Sequence, residues 1–470
     1  MGNQLLIRSY NVGCGDCFYI RIPNGASKDF HILIDCGTKD DPDVLEQAIA
    51  HLRDNELPKD ASGPNKRLDL VVATHRHEDH IKGFDPKYFK GISVKNIWIT
   101  AAMNSKHEQA KKSLALHAMA EQEMRSLASS GLSLSPELRG LVGLYGIDNK
   151  KATDALTTGT LGATKVKPKF VHAGQTSGKL GVKIKNTKIT VLAPELDIDG
   201  YYLGKELDAT IRGMQQGRVN FNKVTGSNTP LQPLNISPAE FRTLQSRMIS
   251  NGLAFAVDDS SIQNNVSAVL LIEWEGRRLL FVGDAEWNNG YAEGKKNCSW
   301  NVMWEKRQKH LTSPLDFLKI GHHGSHNATP WDREAGPDEG VNQILNAILP
   351  LPAGNKKPTA QCIISTKRKQ YDTIPDAELL AELGQRVRNT RNYQQHLKNL
   401  DSSFKPANDV FNYSVIKEYS KQPSPREVGD KGWLTKDQPF RTDLESSGRG
   451  SAEWNGKVEF VEVNLKPNTD

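Results

Sequence analysis

The sequence predicts an α/β protein whose sheets are covered by helices. Three observations carry that reading. Short apolar runs of strand character recur from "LLIRSYNV" near the start to "KVEFVEVNL" near the end. Stretches with helical spacing of apolar residues separate many of them. A hairpin, "SAVLLIEWEGRRLLFVGDAE" (Ser267–Glu286), joins two apolar strands at Glu275-Gly276.

The elements follow in order. "LLIRSYNV" and "CFYIRI" alternate with a period of two and read as strands, with turns at Gly13–Asp16 and Pro23–Gly25. "HILIDCG" (His31–Gly37) is a short buried strand ending in an acid and a glycine. Asp43–Arg53 places Val44, Leu45, Ala48, Ile49 and Leu52 on one helical face. "LDLVVATH" (Leu68–His75) and "KNIWIT" (Lys95–Thr100) are strands, 104–130 is helical, and 131–165 reads as helix fragments and polar loops. "KITVLAP" (Lys188–Pro194) is a strand. The stretch 195–262 is polar and rich in Gly, Asn and Pro, with one helix expected near Pro238, and reads as an insertion. "LDFLKIGHHGS" (Leu315–Ser325) is a strand running into a histidine cluster. "AQCIIST" (Ala360–Thr366) is a strand and Asp376–Arg388 a helix. Beyond about residue 400 the chain is polar until its final strand, and no internal repeat occurs.

A length of 470 residues suits two or three domains, or one large domain with insertions. Hydrophobic residues are 37% and charged residues 25%, which is ordinary for a globular protein. The net charge of +6 excludes a dedicated nucleic-acid coat and permits an anionic substrate. No signal peptide and no run of about 18 apolar residues is present, so no membrane span is expected. Leu6 stands where N-myristoylation needs Ser or Thr. Five cysteines (Cys14, Cys17, Cys36, Cys298 and Cys362) without a signal peptide favour the reducing cytoplasm. Cys14 and Cys17 form a C-x-x-C with no second pair to complete a zinc site, and read as a tight turn.

Chemistry concentrates in "THRHEDH" (Thr74–His80), where a buried strand ends. Imidazoles and carboxylates together suit divalent zinc, manganese or iron. A strand-to-turn-to-helix passage lets His75, His77, Asp79 and His80 converge, with His75 and His77 as one pair and Asp79 and His80 as another. Such pairs can serve two adjacent ions that clamp an attacking water. A polar loop with surface histidines is the bland alternative, and four ligand-type residues at a strand end weigh against it.

"THRHEDH" resembles the H-x-H-x-D-H motif of the metallo-β-lactamase fold superfamily. Asp35 in "LIDCG" resembles the structural acid before that motif, and Asp284 in "FVGD" resembles the bridging carboxylate. His322 or His323 in "KIGHHGS" resembles the last ligand. "NVGCGD" (Asn11–Asp16), "NNVS" (Asn264–Ser267), "HHGS" (His322–Ser325) and Ile364-Ser365 with Tyr371 and Pro375 resemble the branch of ComEC-type (ComEC/Rec2-like) metal-hydrolase domains and their stand-alone relatives. The likeness runs from residue 7 to about 385. It implies an αββα sandwich over 1–400 with two insertions, a helical one at about 101–165 and a loop-rich one at 195–262 placed as a candidate lid. Residues 401–470 form a C-terminal extension ending in a strand.

The resemblance also implies the site. His75, His77 and Asp284 hold one metal, and Asp79, His80 and His322 hold the second. Either Zn2+ or Mn2+ is implied, as one ion or two. A hydroxide generated there attacks phosphorus, so on this likeness the chain reads as a phosphodiester hydrolase, a nuclease acting on DNA or RNA. Asp79 then has a catalytic role, and His323 or His326 is a candidate general acid, with orientation of the ligands as the alternative. Lys367, Arg368 and Lys369 are placed to hold phosphates near Tyr371, or else form a solvated loop. The pattern departs from the superfamily in two places. The histidine usually found shortly before the bridging Asp is missing, with His172 as a substitute or a mere strand-edge residue. Ile374 precedes Pro375 where the branch often has His. Trp300 and Trp304 within Lys295–His310 offer a stacking surface for single-stranded nucleic acid, or pack inward from an amphipathic helix. Two other functions stay open. One is hydrolysis of a lactone, thioester or β-lactam. The other is an effector that binds a protein partner through the insertions or the extension, with a degenerate site and a role in bacterial defence.

Overall fold

The computed structural model describes residues 3–25, 29–129, 136–145, 149–205, 253–332 and most of 334–366. It also describes single positions between 374 and 387 and the runs 440–441, 452–454 and 458–468. The strands are β1 (Leu5–Tyr10), β2 (Phe18–Ile22), β3 (Phe30–Ile34), β4 (Lys66–Leu68), β5 (Leu70–Ala73), β6 (Ile92–Val94), β7 (Ile97–Thr100) and β8 (Lys169–Val171). They continue with β9 (Thr187–Ala193), β10 (Val269–Trp274), β11 (Arg277–Phe281), β12 (Phe317–Lys319), β13 (Gln361–Ile364), β14 (Phe440–Arg441), β15 (Ala452–Trp454) and β16 (Val458–Leu465). The helices that matter below are α1 (Asp43–His51), α2 (Glu78–Ile81), α3 (Lys111–Ser129), α4 (Pro136–Leu144) and α5 (Lys150–Thr158). They are followed by α6 (253–265), α7 (Ser299–Arg307) and α8 (Asn342–Ile348).

Two mixed sheets form. One has eight strands in the order β15-β16-β1-β2-β3-β5-β7-β8, and the other six in the order β14-β13-β12-β11-β10-β9. Neighbours run antiparallel from β1 to β3 and parallel from β3 to β8. The second sheet repeats this plan, antiparallel over β9 to β11 and parallel over β11 to β13.

Strand periodicity explains the layers. Ile7, Ile20 and Ile32 of the first sheet meet Ile189, Leu270 and Phe281 of the second in a shared core. Alternate residues face the other way. Leu6, Tyr19, Leu33 and Val71 pack on Leu45 and Ile49 of α1 and Leu156 of α5. On the far side, Leu271, Leu280 and Leu318 pack on Trp300 and Met303 of α7 and Ile344 and Leu345 of α8. The result is an αββα layering, consistent with a metallo-β-lactamase-type sandwich. Trp300 is fully buried and its indole N–H donates to the Ala328 carbonyl at 3.2 Å. Trp304 packs against the same core, so α7 turns its tryptophans inward.

The expected hairpin turns at Glu275 and Gly276, both with positive φ. Within 195–262, the residues from 253 onward are helical, which the polar composition concealed. α6 buries polar side chains, among them Asp259, Gln263, Asn264 and Asn265, because each finds a hydrogen-bond partner inside. The helix expected near Pro238 lies outside the described residues. The closing strand pairs with β1 from Leu5↔Leu465 to Tyr10↔Phe460. Arg8 fastens it, with Nε donating to Glu462 at 2.7 Å and the guanidinium 4.0 Å from the Phe460 ring centroid. Among the described residues, no helix is long and apolar enough to cross a membrane.

Two core histidines make the fold acid-sensitive. Burial, with Arg67 and Arg21 nearby, lowers the His31 pKa to about 3. Burial, with Arg8 nearby, lowers that of His51 to about 4. Both stay neutral in the folded chain, whereas an unfolded histidine takes a proton near pH ~6.5. Their share of stability is therefore full above about pH 6.5 and falls as the pH drops towards 4, each by up to ~1.4 kcal/mol per pH unit. Urea midpoints measured from neutral to mildly acid pH should show this decline, and His51→Gln should flatten it. An unchanged slope in that variant would contradict the assignment.

Candidate metal centre

The centre forms where strands of both sheets end. β5 stops at Ala73, the chain stays extended through His77, and α2 begins at Glu78. The extended stretch puts His75 and His77 on one side, with His75 Nε2 3.1 Å from His77 Nδ1. One helical turn then presents Asp79 and His80. Gly37 is required beside this turn, since a Cβ there would lie 2.2 Å from the His80 nitrogen. From the second sheet, β11 ends at Phe281 and delivers Asp284, while β12 ends at Lys319 and delivers His322 and His323.

Asp79, His80, Asp284 and His323 converge, all buried, with one potential ligand atom from each within 4.8 Å of the others. His80 Nε2 lies 3.1 Å from Asp284 Oδ1, and His323 Nε2 lies 3.0 Å from Asp79 Oδ2. His75 Nε2 stands 3.8 Å from Asp284 Oδ2, so the His75–His77 pair borders the same carboxylate. Among the described residues, the buried atoms His77 Nε2 and Asp79 Oδ1 lack any hydrogen-bond partner. Buried polar atoms are rarely left so. The set fits one or two divalent cations, which would take these lone pairs.

Neighbouring groups aim the ligands. Asp35, at φ 57°, accepts from Thr74 N at 2.8 Å and Thr74 Oγ1 at 2.7 Å, and lies 2.8 Å from His80 Nδ1. It thereby directs His80 Nε2 into the centre. Ser267 Oγ accepts from Asp284 N at 3.1 Å and lies 3.3 Å from His75 Nδ1, so it touches both halves of the site.

His322 or His323 was expected as the last ligand, with His322 placed at the second metal, and the structure groups His323 with Asp79, His80 and Asp284. His322 Nδ1 instead lies 3.1 Å from Ser325 Oγ and 3.5 Å from Glu286, which Asn264 and Asn265 hold. The reason is the backbone: His322 and His323 both adopt positive φ, at 40° and 53°, a conformation that reverses the expected facing. His322 still contributes its N–H, 3.0 Å from Asp284 Oδ1. The candidate acid His326 is exposed and lies tilted against Trp287, with ring centroids 5.7 Å apart. His172 bonds locally, its N–H donating to Gln175 and its Nδ1 3.1 Å from the Ala173 carbonyl, outside the cluster. Lys367 and Tyr371 lie outside the described residues, as do Arg368, Lys369 and Pro375.

Charge in the centre is finely divided. Burial lowers the His77 pKa to about 4, and burial together with His80 and His77 holds His75 well below the ordinary value. Both imidazoles are therefore neutral and ready to act as ligands. Burial also opposes the charged forms of His80 and His323, but nearby groups outweigh it: Asp284 and Asp35 at His80, Cys14 and Asp79 at His323. A metal entering here displaces those protons, so its affinity falls as the pH falls.

Two lysines went unnoticed in the sequence. Lys39 Nζ lies 3.0 Å from Asp79 Oδ2. Lys319, only 2% exposed, pairs with Asp16 and donates to the Gly283 carbonyl at 2.9 Å. Asp16, Asp35 and His80 also come together, but the Lys319 ammonium already provides the cation there. A lysine inside "LDFLKIG" was the available signal, because lysine is seldom fully buried unless paired. Cys14 and Cys17 are buried free thiols, and the Cys36 thiol and burial push Cys17 well up, which makes it a poor redox group.

Residues 11–86 match the family model of the metallo-beta-lactamase superfamily. The matched superfamily segment contains Asp16, Asp35 and all of "THRHEDH", while Asp284 and His323 lie beyond it. No curated protein matches the chain. The clustered ligands and the superfamily segment together support a metal-dependent hydrolase.

Proposed function

We propose that the chain is a metal-dependent phosphodiesterase, a nuclease acting on DNA or RNA with Zn2+ or Mn2+. The convergence of Asp79, His80, Asp284 and His323 at the ends of two sheets carries this reading. When bound, a divalent ion supplies Lewis-acid polarisation of a phosphoryl oxygen and activation of water. Asp79, His80, Asp284 and His323 would hold one ion, with His75 and His77 beside Asp284 for a second. In this reading His323 takes the ligand role first given to His322, and Asp79 remains central to catalysis. Lys39 at the rim adds a cation for a phosphate. The finer likeness to ComEC-type domains supports the same substrate class.

A surface feature favours nucleic acid over a small ester. A cavity of about 570 Å³ contains Tyr201 and Tyr291, with ring centroids 6.4 Å apart. Lys306 lies 5.0 Å from the Tyr291 centroid, and Lys205 lines the same cavity. Aromatic faces beside cations take bases and phosphates without strong sequence preference. Asp199 in this cavity is engaged in capping α3, accepting from Lys112 N and Ser113 N.

Incubation with labelled single- and double-stranded DNA and RNA, supplemented in turn with zinc, manganese and magnesium, is the test. Cleavage that a chelator abolishes is the expected result. Substrates left intact under every metal would overturn the nuclease reading. Turnover of lactone or thioester substrates in the same preparation would move the activity to small esters.

A further inference from the structure

The extended backbone that turns His75 and His77 towards the metal centre turns Arg76 to the opposite side. There it forms the floor of a separate cavity of about 490 Å³. The walls come from three helices after "THRHEDH": His117 and Arg125 from α3, Tyr145 at the end of α4, and Asn149 and Lys150 at the start of α5.

Two buried polar atoms of residues lining this cavity have no partner among the described residues. Arg76 donates Nη2–H to the Ala102 carbonyl at 2.8 Å, but its Nε–H is buried and unbonded. Asn149 is 6% exposed, and its Oδ1 is buried and accepts nothing. Asn149 stands at the N-terminus of α5 without making a side-chain cap, so capping does not explain its placement. An orphaned donor and an orphaned acceptor in one cavity point to a ligand that bonds to both.

The chemistry of the walls narrows the ligand. Arg125 and Lys150 already face Glu121 and Asp154; the first pair is part-exposed and the second largely exposed, where such pairing is weak and readily shared. Among the described residues, Arg76 has no carboxylate bonded to it. Two carboxylates act on it from nearby: Glu121, already bonded to Arg125, and Asp259, which is fully buried and saturated by His117 Nδ1 at 2.8 Å, Tyr145 OH at 2.7 Å and Gln263 at 2.9 Å. That network fixes the His117 ring and leaves its other nitrogen for the cavity. Guanidinium groups match phosphate oxygens, and a carbonyl oxygen with an imidazole matches hydroxyl or amino groups.

We propose that this cavity binds a small phosphate-bearing molecule of nucleoside-monophosphate size, with its phosphate at Arg76 and Arg125 and its polar remainder at Asn149 and His117. The site does not depend on the nuclease reading. Because Arg76 lies between His75 and His77, occupancy fixes the peptide that carries two of the centre's imidazoles. The ligand is thus placed to stabilise the centre from behind.

Calorimetric titration of the metal-loaded full chain with adenosine 5′-monophosphate, adenosine and inorganic phosphate tests this. The monophosphate is expected to bind one to one, with adenosine at least ~10-fold weaker, the order of one charge-assisted contact. Arg125→Ala and Asn149→Leu should each weaken it at least ~5-fold without changing metal content. Arg125 is part-exposed on α3 and outside the buried core, so that variant should fold even if the other does not. His77→Ala should leave binding in place, which separates this cavity from product binding at the metal centre. Phosphate binding as tightly as the nucleotide would support the site and identify the free anion as its ligand. No binding of either, or full binding in Arg125→Ala, would overturn the proposal.

Discussion

Asp284→Ala is expected to abolish hydrolysis and strip the centre of metal. Asp284 is the group through which the two halves of the site meet. Its Oδ1 lies 3.1 Å from His80 Nε2 and accepts the His322 N–H at 3.0 Å, while its Oδ2 stands 3.8 Å from His75 Nε2. The surrounding charge works towards ionisation: burial opposes it, but His80 outweighs burial and holds the carboxyl well below the usual carboxylate range. Loss of a mere orienting partner costs ~10–100-fold in metal affinity or activity, so loss of this shared carboxylate should exceed ~100-fold. Asp284→Asn would keep the acceptor for His322 N–H while removing the charge. It should therefore fold normally and still lose metal. Elemental analysis and cleavage rates on the two variants check this. Retention of both metal and rate would rule out a central role for Asp284.

Lys319→Met is expected to produce the largest loss of stability, about 3–5 kcal/mol, because it leaves the Asp16 carboxylate buried without its cation. Burial disfavours the Lys319 charge, but Asp16 and Asp284 outweigh it and raise the pKa. Adding Asp16→Asn should restore much of the loss, since the double change removes both charges together. Urea unfolding of the single and double variants measures the effect. A single-variant loss below ~1 kcal/mol would show that water or local rearrangement satisfies Asp16.

The strand-end logic of "THRHEDH" was fully legible. An apolar run stopping at a cluster of ligands is a local pattern, and the fold preserves it at β5 and α2. Asp284 was expected only from the resemblance of "FVGD" to a bridging carboxylate, and the fold brings it beside Asp79 and His80. The choice between His322 and His323 was not legible, because it depends on two consecutive left-handed backbone conformations that no side-chain pattern announces. α6 was hidden because its buried face mixes Asp259, Gln263 and Asn264 with Phe255, Ala256 and Ile262, which blurs the apolar stripe. Arg76 sits inside "THRHEDH" with no local signal of its own. Its cavity depends on three helices whose mutual packing is a tertiary property. Lys39 likewise needed the turn after β3 to bring it against Asp79.

The pairing of β16 with β1 has a consequence for biosynthesis. Arg8 and Glu462 are 454 positions apart, yet they are cross-strand neighbours. Until the later strand leaves the ribosome, the nascent chain presents the open hydrogen-bonding edge of β1, the kind of edge that recruits another strand. Such a long-range closure is slow, because the entropy of ordering the intervening polypeptide is lost before the contact forms. A message cut short, or a protease acting just ahead of residue 458, would release a product with its ligand segment intact and its sheet unfinished. This architecture therefore couples the synthesis of β16 to the burial of an adhesive edge, and chaperone dependence should be greatest for polypeptides that end before that strand.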